Sequence, residues 1–306
     1  MRRRLGQALR LGVARGAIAL VETRRWGGAA PALLAEQALA PDAIESAAGM
    51  QEALAKVLDG APAGWPMSVV LADELVRLWQ VTPPRLGARL ADLEAAAAQR
   101  FALLYGESAA SWCLRAGWDP VRPFLAAALP RALLGAIEHG CAQRKLALRE
   151  IVPHFVAVLN RHHAALKPGA WFGLVHDQVL TLGAVDGTGN GAGIAAVRAA
   201  ALPDGADAAW LADHVAREAL RLNLTAPQRL QLCGSVPPAG APHDAPHDAP
   251  HEAPHPAGAH RFRPAEFRAH AASHRSRGLG PGAAGAGAVR GGRRYLLAAD
   301  GAPAGA

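Results

Sequence analysis

The chain carries one pattern twice, and that duplication limits its possible folds more than any other feature. Trp171–Leu202 reads WFGLVHDQVLTLGAVDGTGNGAGIAAVRAAAL, short apolar runs separated by His176-Asp177-Gln178 and by the glycine-rich loop 186–191. Short apolar runs bounded by turn residues read as strands, and tight spacing makes them antiparallel neighbours. The pattern predicts strands over Trp171–Val175, Gln178–Val185 and Gly193–Leu202. Leu9–Leu39, LRLGVARGAIALVETRRWGGAAPALLAEQAL, has the same order of run, turn, run, glycine and run, with Arg24-Arg25-Trp26-Gly27-Gly28 as its second turn. Gly12 falls opposite Gly173, Ile18 opposite Val179 and Val21 opposite Leu182, each 161 residues apart. Ala32–Leu39 falls opposite Ala195–Leu202 at 163 residues. Each meander leads to a helical stretch, Pro41–Asp59 and Ala206–Leu224, and then to a further strand, Ser68–Leu71 and Arg229–Cys233. Two βββαβ units at this spacing are too far apart for a solenoid and predict one architecture used twice.

Between the two units the chain predicts further alternation. Asp42 or Ser46 is placed to cap the first helix. Ser68–Pro84 reads as two strands around Ala72-Asp73-Glu74. Neighbouring side chains on an extended chain point to opposite faces, so the paired carboxylates read as a solvated turn rather than a converging acid–base pair. Ala88–Tyr105 reads as a helix with Leu90, Leu93, Ala97, Phe101 and Leu104 on one stripe and Gly106 at its C-terminal end. Ser111–Ala116 is a predicted strand, Pro120–His139 a helix and Leu146–Val152 a strand. A last helix runs from Pro153 to Leu166, ended by Pro168-Gly169. The first unit is thus α/β, a mixed sheet with helices on its faces. The second stops at Cys233-Gly234-Ser235, which makes it a truncated copy.

After Val236 the composition changes. APHDAPHDAPHEAPHPAGAH is a tetrapeptide repeat, and proline every four residues excludes a regular helix. Too few large apolar groups are present there to offset the entropy of ordering, so 237–290 is expected to be disordered. The organisation expected is a first half over 1–168, a second half over 169–236 and a tail over 237–306. The net charge of +7 divides unevenly. Residues 256–306 hold eight arginines against Glu266 and Asp300, a net of +6, and the other 255 residues carry +1. The basic balance belongs to the tail and gives no warrant for a specific nucleic-acid interface on the folded part. Weak contact of the tail with anionic lipid is the electrostatic expectation. No apolar run suits a bilayer span, since Phe124–Ile137 is short and interrupted by Pro130 and Arg131. The opening Met1-Arg2-Arg3-Arg4 is followed by Arg10 and Arg15, which break the apolar segment of a signal peptide. Cys113, Cys141 and Cys233 form neither a disulfide framework nor a metal spacing. These points favour a cytoplasmic chain, peripheral at a membrane if the tail engages one.

Several constellations invite chemistry. The glycines of 187–193 suggest a phosphate loop, yet a strand follows them and no Lys-Ser/Thr closes the motif, so a hairpin loop is the reading. His243, His247, His251 and His255 alternate with carboxylates, a composition that binds divalent transition metals weakly. His162 and His163 point about 100° apart on a helix and make a poor ligand pair. His139, His154, His176 and His214 read as isolated structural or surface histidines. Ser235 lacks the second glycine of a nucleophile elbow. The tryptophans at 65, 79, 112, 118, 171 and 210 lie near element ends, as core anchors do.

The duplicated βββαβ unit in mixed α/β halves resembles the actin-like ATPase superfamily, with its ribonuclease H-like halves. Within it the chain is most similar to the pilus-assembly protein PilM and the cytoplasmic part of type II secretion GspL. The likeness rests on LRLGVARGAIALVE, on SVVLADELVRLWQVTPP before an alanine-rich helix, on Arg100-Phe101 with Tyr105-Gly106 and Trp112, and on WFGLVHDQVLTLGAVDG, over about residues 9–236. Such a resemblance implies a nucleotide site with Asp-x-Gly-x-x-Ser/Thr in the first hairpin turn of each half. Gly16 fits the glycine, but Ala14 stands where aspartate belongs and Ala17-Ile18 replace the hydroxyl side. In the second half Val175 falls at the aspartate place and Asp177 at the glycine, and Gly234 is what remains of the adenosine-side loop. ATP and magnesium are therefore disfavoured as cofactors, and Gly16 and Gly234 are vestigial. The resemblance implies a non-catalytic scaffold at the cytoplasmic face of the inner membrane, bound to the cytoplasmic tail of a PilN-like protein. An actin-like ATPase or phosphotransferase with an atypical site, and a metal-binding protein acting through the His-rich tail, are the alternatives.

Overall fold

The computed structural model describes residues 6–24, 30–40, 42–44, 46–85, 89–185, 193–227 and 229–234. The glycine-rich loop 186–192, the tip of the first meander's second turn, and the His-rich and arginine-rich tail lie outside them.

Both predicted meanders are present. The first comprises β1 (Gln7–Val13), β2 (Ala17–Arg24) and β3 (Ala32–Ala38), followed by α1 (Ala47–Val57) and β4 (Pro66–Leu71). The second comprises β9 (Trp171–His176), β10 (Val179–Val185) and β11 (Ile194–Ala201), followed by α5 (Ala208–Arg221) and β12 (Leu230–Cys233). The sheet orders are β3-β2-β1-β4 and β11-β10-β9-β12, with antiparallel hairpins and a parallel final pairing in each. The first sheet gains β8 (Ala147–Pro153), parallel to β4. Helix starts follow local chemistry. Ser46, not Asp42, caps α1, its hydroxyl accepting from the Gly49 N–H at 3.2 Å. The Asp207 carboxylate caps α5 by accepting from the Trp210 N–H at 2.8 Å.

The register corrects the 161-residue alignment of the first two strands. Leu11 pairs with Leu20 and Val69, and Gly173 pairs with Leu182 and Leu232. The equivalences are therefore Leu11 with Gly173 and Leu20 with Leu182, offset by 162, and Val69 with Leu232, offset by 163. Aligning Gly12 on Gly173 moves a strand by one residue and turns every side chain to the wrong face. The faces agree with the corrected register. Leu9, Leu11 and Val13 share the core with α1, and Trp171 and Val175 share theirs with α5. A Cβ on Gly173 would lie 2.8 Å from Leu232 Cδ1 and 3.3 Å from Leu182 Cδ2. The neighbours of Gly173 thus fill the room that Leu11 occupies in the first half.

The segment between the two βββαβ units, which belongs to the first half, departs from expectation twice. Pro120–His139 is not one helix: Phe124–Pro130 forms β7, and α3 (Arg131–Gln143) starts after it. β7 is the middle strand of a separate sheet, β5-β7-β6, with β5 at Arg77–Val81 and β6 at Trp112–Ala116. The first half therefore holds two sheets rather than one mixed sheet. The small sheet packs on α2 (Leu90–Tyr105) around Trp79, Phe101, Trp112 and Phe124. Leu93, Ala97 and Phe101 of the predicted stripe are buried, while Leu90 is 55% exposed. Gly106 ends α2 at φ +67, as its position predicted.

The remaining helix, α4 (His154–His162), joins the halves. It touches β4 and β8 of the first sheet and β9 of the second, and its Phe155 ring lies 5.7 Å from that of Phe172. Trp65, Trp79, Trp112 and Trp171 are buried anchors, as read from sequence. Among the described residues no helix is long and apolar enough to cross a membrane.

Candidate functional site

In sheets with parallel strands, functional groups collect beyond the carboxyl ends of those strands, where loops converge and helix N-termini point. β1, β4 and β8 are parallel to one another, as are β9 and β12. Their carboxyl ends deliver Ala14, Asp73-Glu74, His154, His176-Asp177 and Gly234 to one region between the halves. Sequence reading treated Asp73-Glu74 as a solvated turn and His154 and His176 as isolated. The structure corrects both.

Asp73 is buried at 6% exposure in a short 3-10 turn after β4. The Phe155 backbone N–H donates to its Oδ1 at 3.0 Å, and the Thr181 hydroxyl donates to its Oδ2 at 2.9 Å. It thus places a carboxylate at the N-terminal turn of α4 and ties that turn to β10 of the second half. Burial pushes its pKa up to about 6, and the two hydrogen bonds only partly oppose the rise. Glu74 points the other way, where its Oε1 accepts the Arg15 N–H from the first hairpin turn at 2.9 Å.

His176 is 8% exposed and meets the His154 ring edge-on at a centroid distance of 4.8 Å. Burial holds the His154 pKa down at about 3, with His176 and Arg10 acting in the same direction, so its imidazole is neutral at physiological pH. His176 Nδ1 lies 3.6 Å from Asp177 Oδ2. Asp177 sits in the left-handed region, φ +50, at the tip of the β9–β10 hairpin. Beside the cluster runs a groove of about 390 Å³, bordered by Asp73, Glu74, Arg77, Tyr105 and Arg198. Arg77 there stacks over the Tyr105 and Trp112 rings at 5.7 and 5.3 Å.

The residues expected at a nucleotide site sit as follows. The Ala14 N–H donates to the Ala17 carbonyl, so Arg15-Gly16 is a two-residue turn equivalent to Asp177-Gln178. The aspartate place in the second half is therefore His176 and the glycine place Gln178, one residue on from the sequence alignment. Neither hairpin presents a carboxylate at the aspartate place, since Ala14 and His176 stand there. A Cβ on Gly16 would meet nothing within 4 Å, and no steric reason demands glycine there. Gly234 is different. It has φ +94, and a Cβ on it would lie 1.9 Å from the Val175 carbonyl oxygen, so close packing of two backbones requires it. The metal candidates His243, His247, His251 and His255 lie outside the described residues. Cys113, Cys141 and Cys233 are buried free thiols, and burial pushes the Cys141 thiol up to about 11.

The signal that marks this region in sequence is position rather than motif: Ala72-Asp73-Glu74 directly follows a strand parallel to β1. The partners of Asp73 lie 82 and 108 residues away, so its burial has no local trace.

No protein-family profile matches the sequence, and no curated protein sequence matches it. Solved structures do. The cytoplasmic domain of EpsL, an inner-membrane component of the type II secretion system of Vibrio cholerae, matches at TM-score 0.48 and 13% identity, over 78% of this chain and 86% of its own. A PilM–PilN type IV pilus biogenesis complex matches at 0.46 and 20%, over 71% of this chain and 66% of the other. A Bacteroides thetaiotaomicron protein with an actin-like ATPase fold and unknown function matches at 0.50 and 6%, over 76% and 83%. Two sheets of equivalent order, paired hairpin turns and this last likeness lead to one conclusion: the chain has the actin-like ATPase fold.

Proposed function

We propose that the chain is a non-catalytic actin-like scaffold of a pilus-assembly or type II secretion-like machine, working at the cytoplasmic face of the inner membrane. Its partner would be the short cytoplasmic segment of a PilN-like single-span protein. The observation that carries the non-catalytic part is the pair Ala14 and His176 at the two hairpin positions where phosphate chemistry on this fold needs a carboxylate. Ala14 is 3% exposed, its N–H is held by the Ala17 carbonyl, and its methyl offers no acid to position a water. What supports the machine and the partner is the sequence resemblance to PilM and GspL over residues 9–236.

Two measurements test the reading separately. Calorimetry of the full chain with magnesium–ATP is expected to give no micromolar binding, and micromolar binding would overturn the non-catalytic part. A peptide copied from the cytoplasmic segment of a single-span protein encoded beside this chain is expected to bind and to raise its melting temperature. Failure of the peptides from every such neighbour would overturn the scaffold part.

A further inference from the structure

Glu74, His176 and Asp177 present three ligand atoms within 4.8 Å of one another. One comes from the first half, after β4, and two come from the β9–β10 hairpin of the second. We propose that these three residues bind one divalent transition cation of the zinc type and that the cation ties the two halves together. This goes beyond the scaffold reading and does not depend on it.

The donor set is one imidazole nitrogen and two carboxylate oxygens, which suits zinc and leaves a fourth position for water. Metal–ligand bonds of about 2.0–2.2 Å in a tetrahedron put neighbouring ligand atoms about 3.3–3.6 Å apart. His176 Nδ1 and Asp177 Oδ2, at 3.6 Å, are already close to that spacing. The remaining separations close by at most about 1.5 Å, within the reach of a side-chain rotation. Asp177 is half exposed and Glu74 partly so, and both carboxylates have that freedom.

The surroundings hold the ligands in place. The Arg15 N–H bonds Glu74 Oε1 and leaves Oε2 to turn toward the hairpin. The His154 ring, edge-on at 4.8 Å, restricts the tilt of the His176 imidazole. The left-handed φ of Asp177 folds the hairpin tip so that its carboxylate returns beside His176. Such supporting contacts orient metal ligands and set affinity.

The test uses the full chain with His243, His247, His251 and His255 all changed to alanine, so that the tail cannot take up metal. Zinc is titrated against a chromophoric chelator, cobalt(II) serves as the spectroscopic probe, and thermal melting is followed with and without zinc. One equivalent of zinc per chain is expected, with the intense visible bands of a four-coordinate cobalt site and a rise in melting temperature. Glu74→Gln and Asp177→Asn should each weaken zinc binding by at least the roughly 10–100-fold that loss of a mere supporting contact costs a metal site. Both positions reach solvent, and asparagine tolerates the left-handed φ, so these two variants keep the fold even if His176→Gln does not. Absence of zinc uptake by the tail-substituted chain, or an affinity unchanged in both surface variants, would overturn the proposal.

Discussion

At pH 4 the Asp73→Asn variant should match the unaltered chain in stability, and at pH 7 it should exceed it by about 3 kcal/mol. Asp73 titrates near 3.8 when exposed and near 6 in the fold. The folded chain therefore binds its proton more tightly than the unfolded chain does. Stability from this group is fully present below about pH 4 and is lost as pH rises through about 6. A rise of about two pKa units is worth about 3 kcal/mol. His154 runs the opposite way. Its folded value of about 3 lies below the ordinary 6.5, so it contributes stability above about pH 6.5 that is lost as pH falls toward 3. Between pH 4 and 6 the two slopes oppose each other, and this pair alone gives the unaltered chain a muted profile. Asparagine imitates the protonated acid: its carbonyl still accepts from Phe155, and its amide still meets Thr181. Removing the Asp73 titration leaves His154 unopposed, so the variant should gain stability steadily with pH. Urea unfolding from pH 4 to 7, with EDTA present to keep cations out, reads both curves. Profiles that run parallel would show that Asp73 does not titrate in this window and would refute the reasoning.

Three further outcomes are expected. Gly234→Ala should destabilise by at least the roughly 1–3 kcal/mol that a left-handed φ costs a side chain, because its Cβ also strikes the Val175 carbonyl; thermal melting measures it. Gly16→Ala should stay within about 0.5 kcal/mol of the unaltered chain by the same assay, since its Cβ points into open space. Full-length chain should sediment with anionic vesicles at low salt but not at high salt, whereas a 1–236 fragment should not, because each tail arginine gains about 1 kcal/mol near such a surface. Equal, salt-independent behaviour of the two would remove the electrostatic role of the tail.

The duplicated meander was legible because each strand is a short apolar run and each turn is marked by glycine or by polar residues. Its register was not, because matching Gly12 to Gly173 aligns residue types, whereas a sheet aligns faces. Phe124–Pro130 was misread for a related reason. FLAAALP is continuously apolar, and periodicity cannot separate a covered central strand from a buried helix. Pro130 held the available clue, since a residue before proline avoids helical backbone. At the site, the hairpin turns and the alanine at 14 were readable in the sequence. Asp73 meets Phe155 from 82 residues away and Thr181, in the other half, from 108 residues away, and His154 meets His176 across the halves; none of these pairs lies within one element of the chain.

The exchange of Leu11 for Gly173 between equivalent positions sets an order on what the two halves can accept. In the second half, any side chain larger than hydrogen at 173 must first displace Leu232 Cδ1, and a large one must displace Leu182 as well. In the first half, trimming Leu11 opens a void that Leu20 and Val69, held in their own ladders, close only in part. A change at either position is tolerated only after its neighbours have changed. Swapping residue 11 with residue 173 should therefore fail alone and recover stability when Val69 and Leu232 are exchanged with them, since Leu20 and Leu182 are already the same residue. The halves share a backbone plan, but their interiors are no longer interchangeable parts.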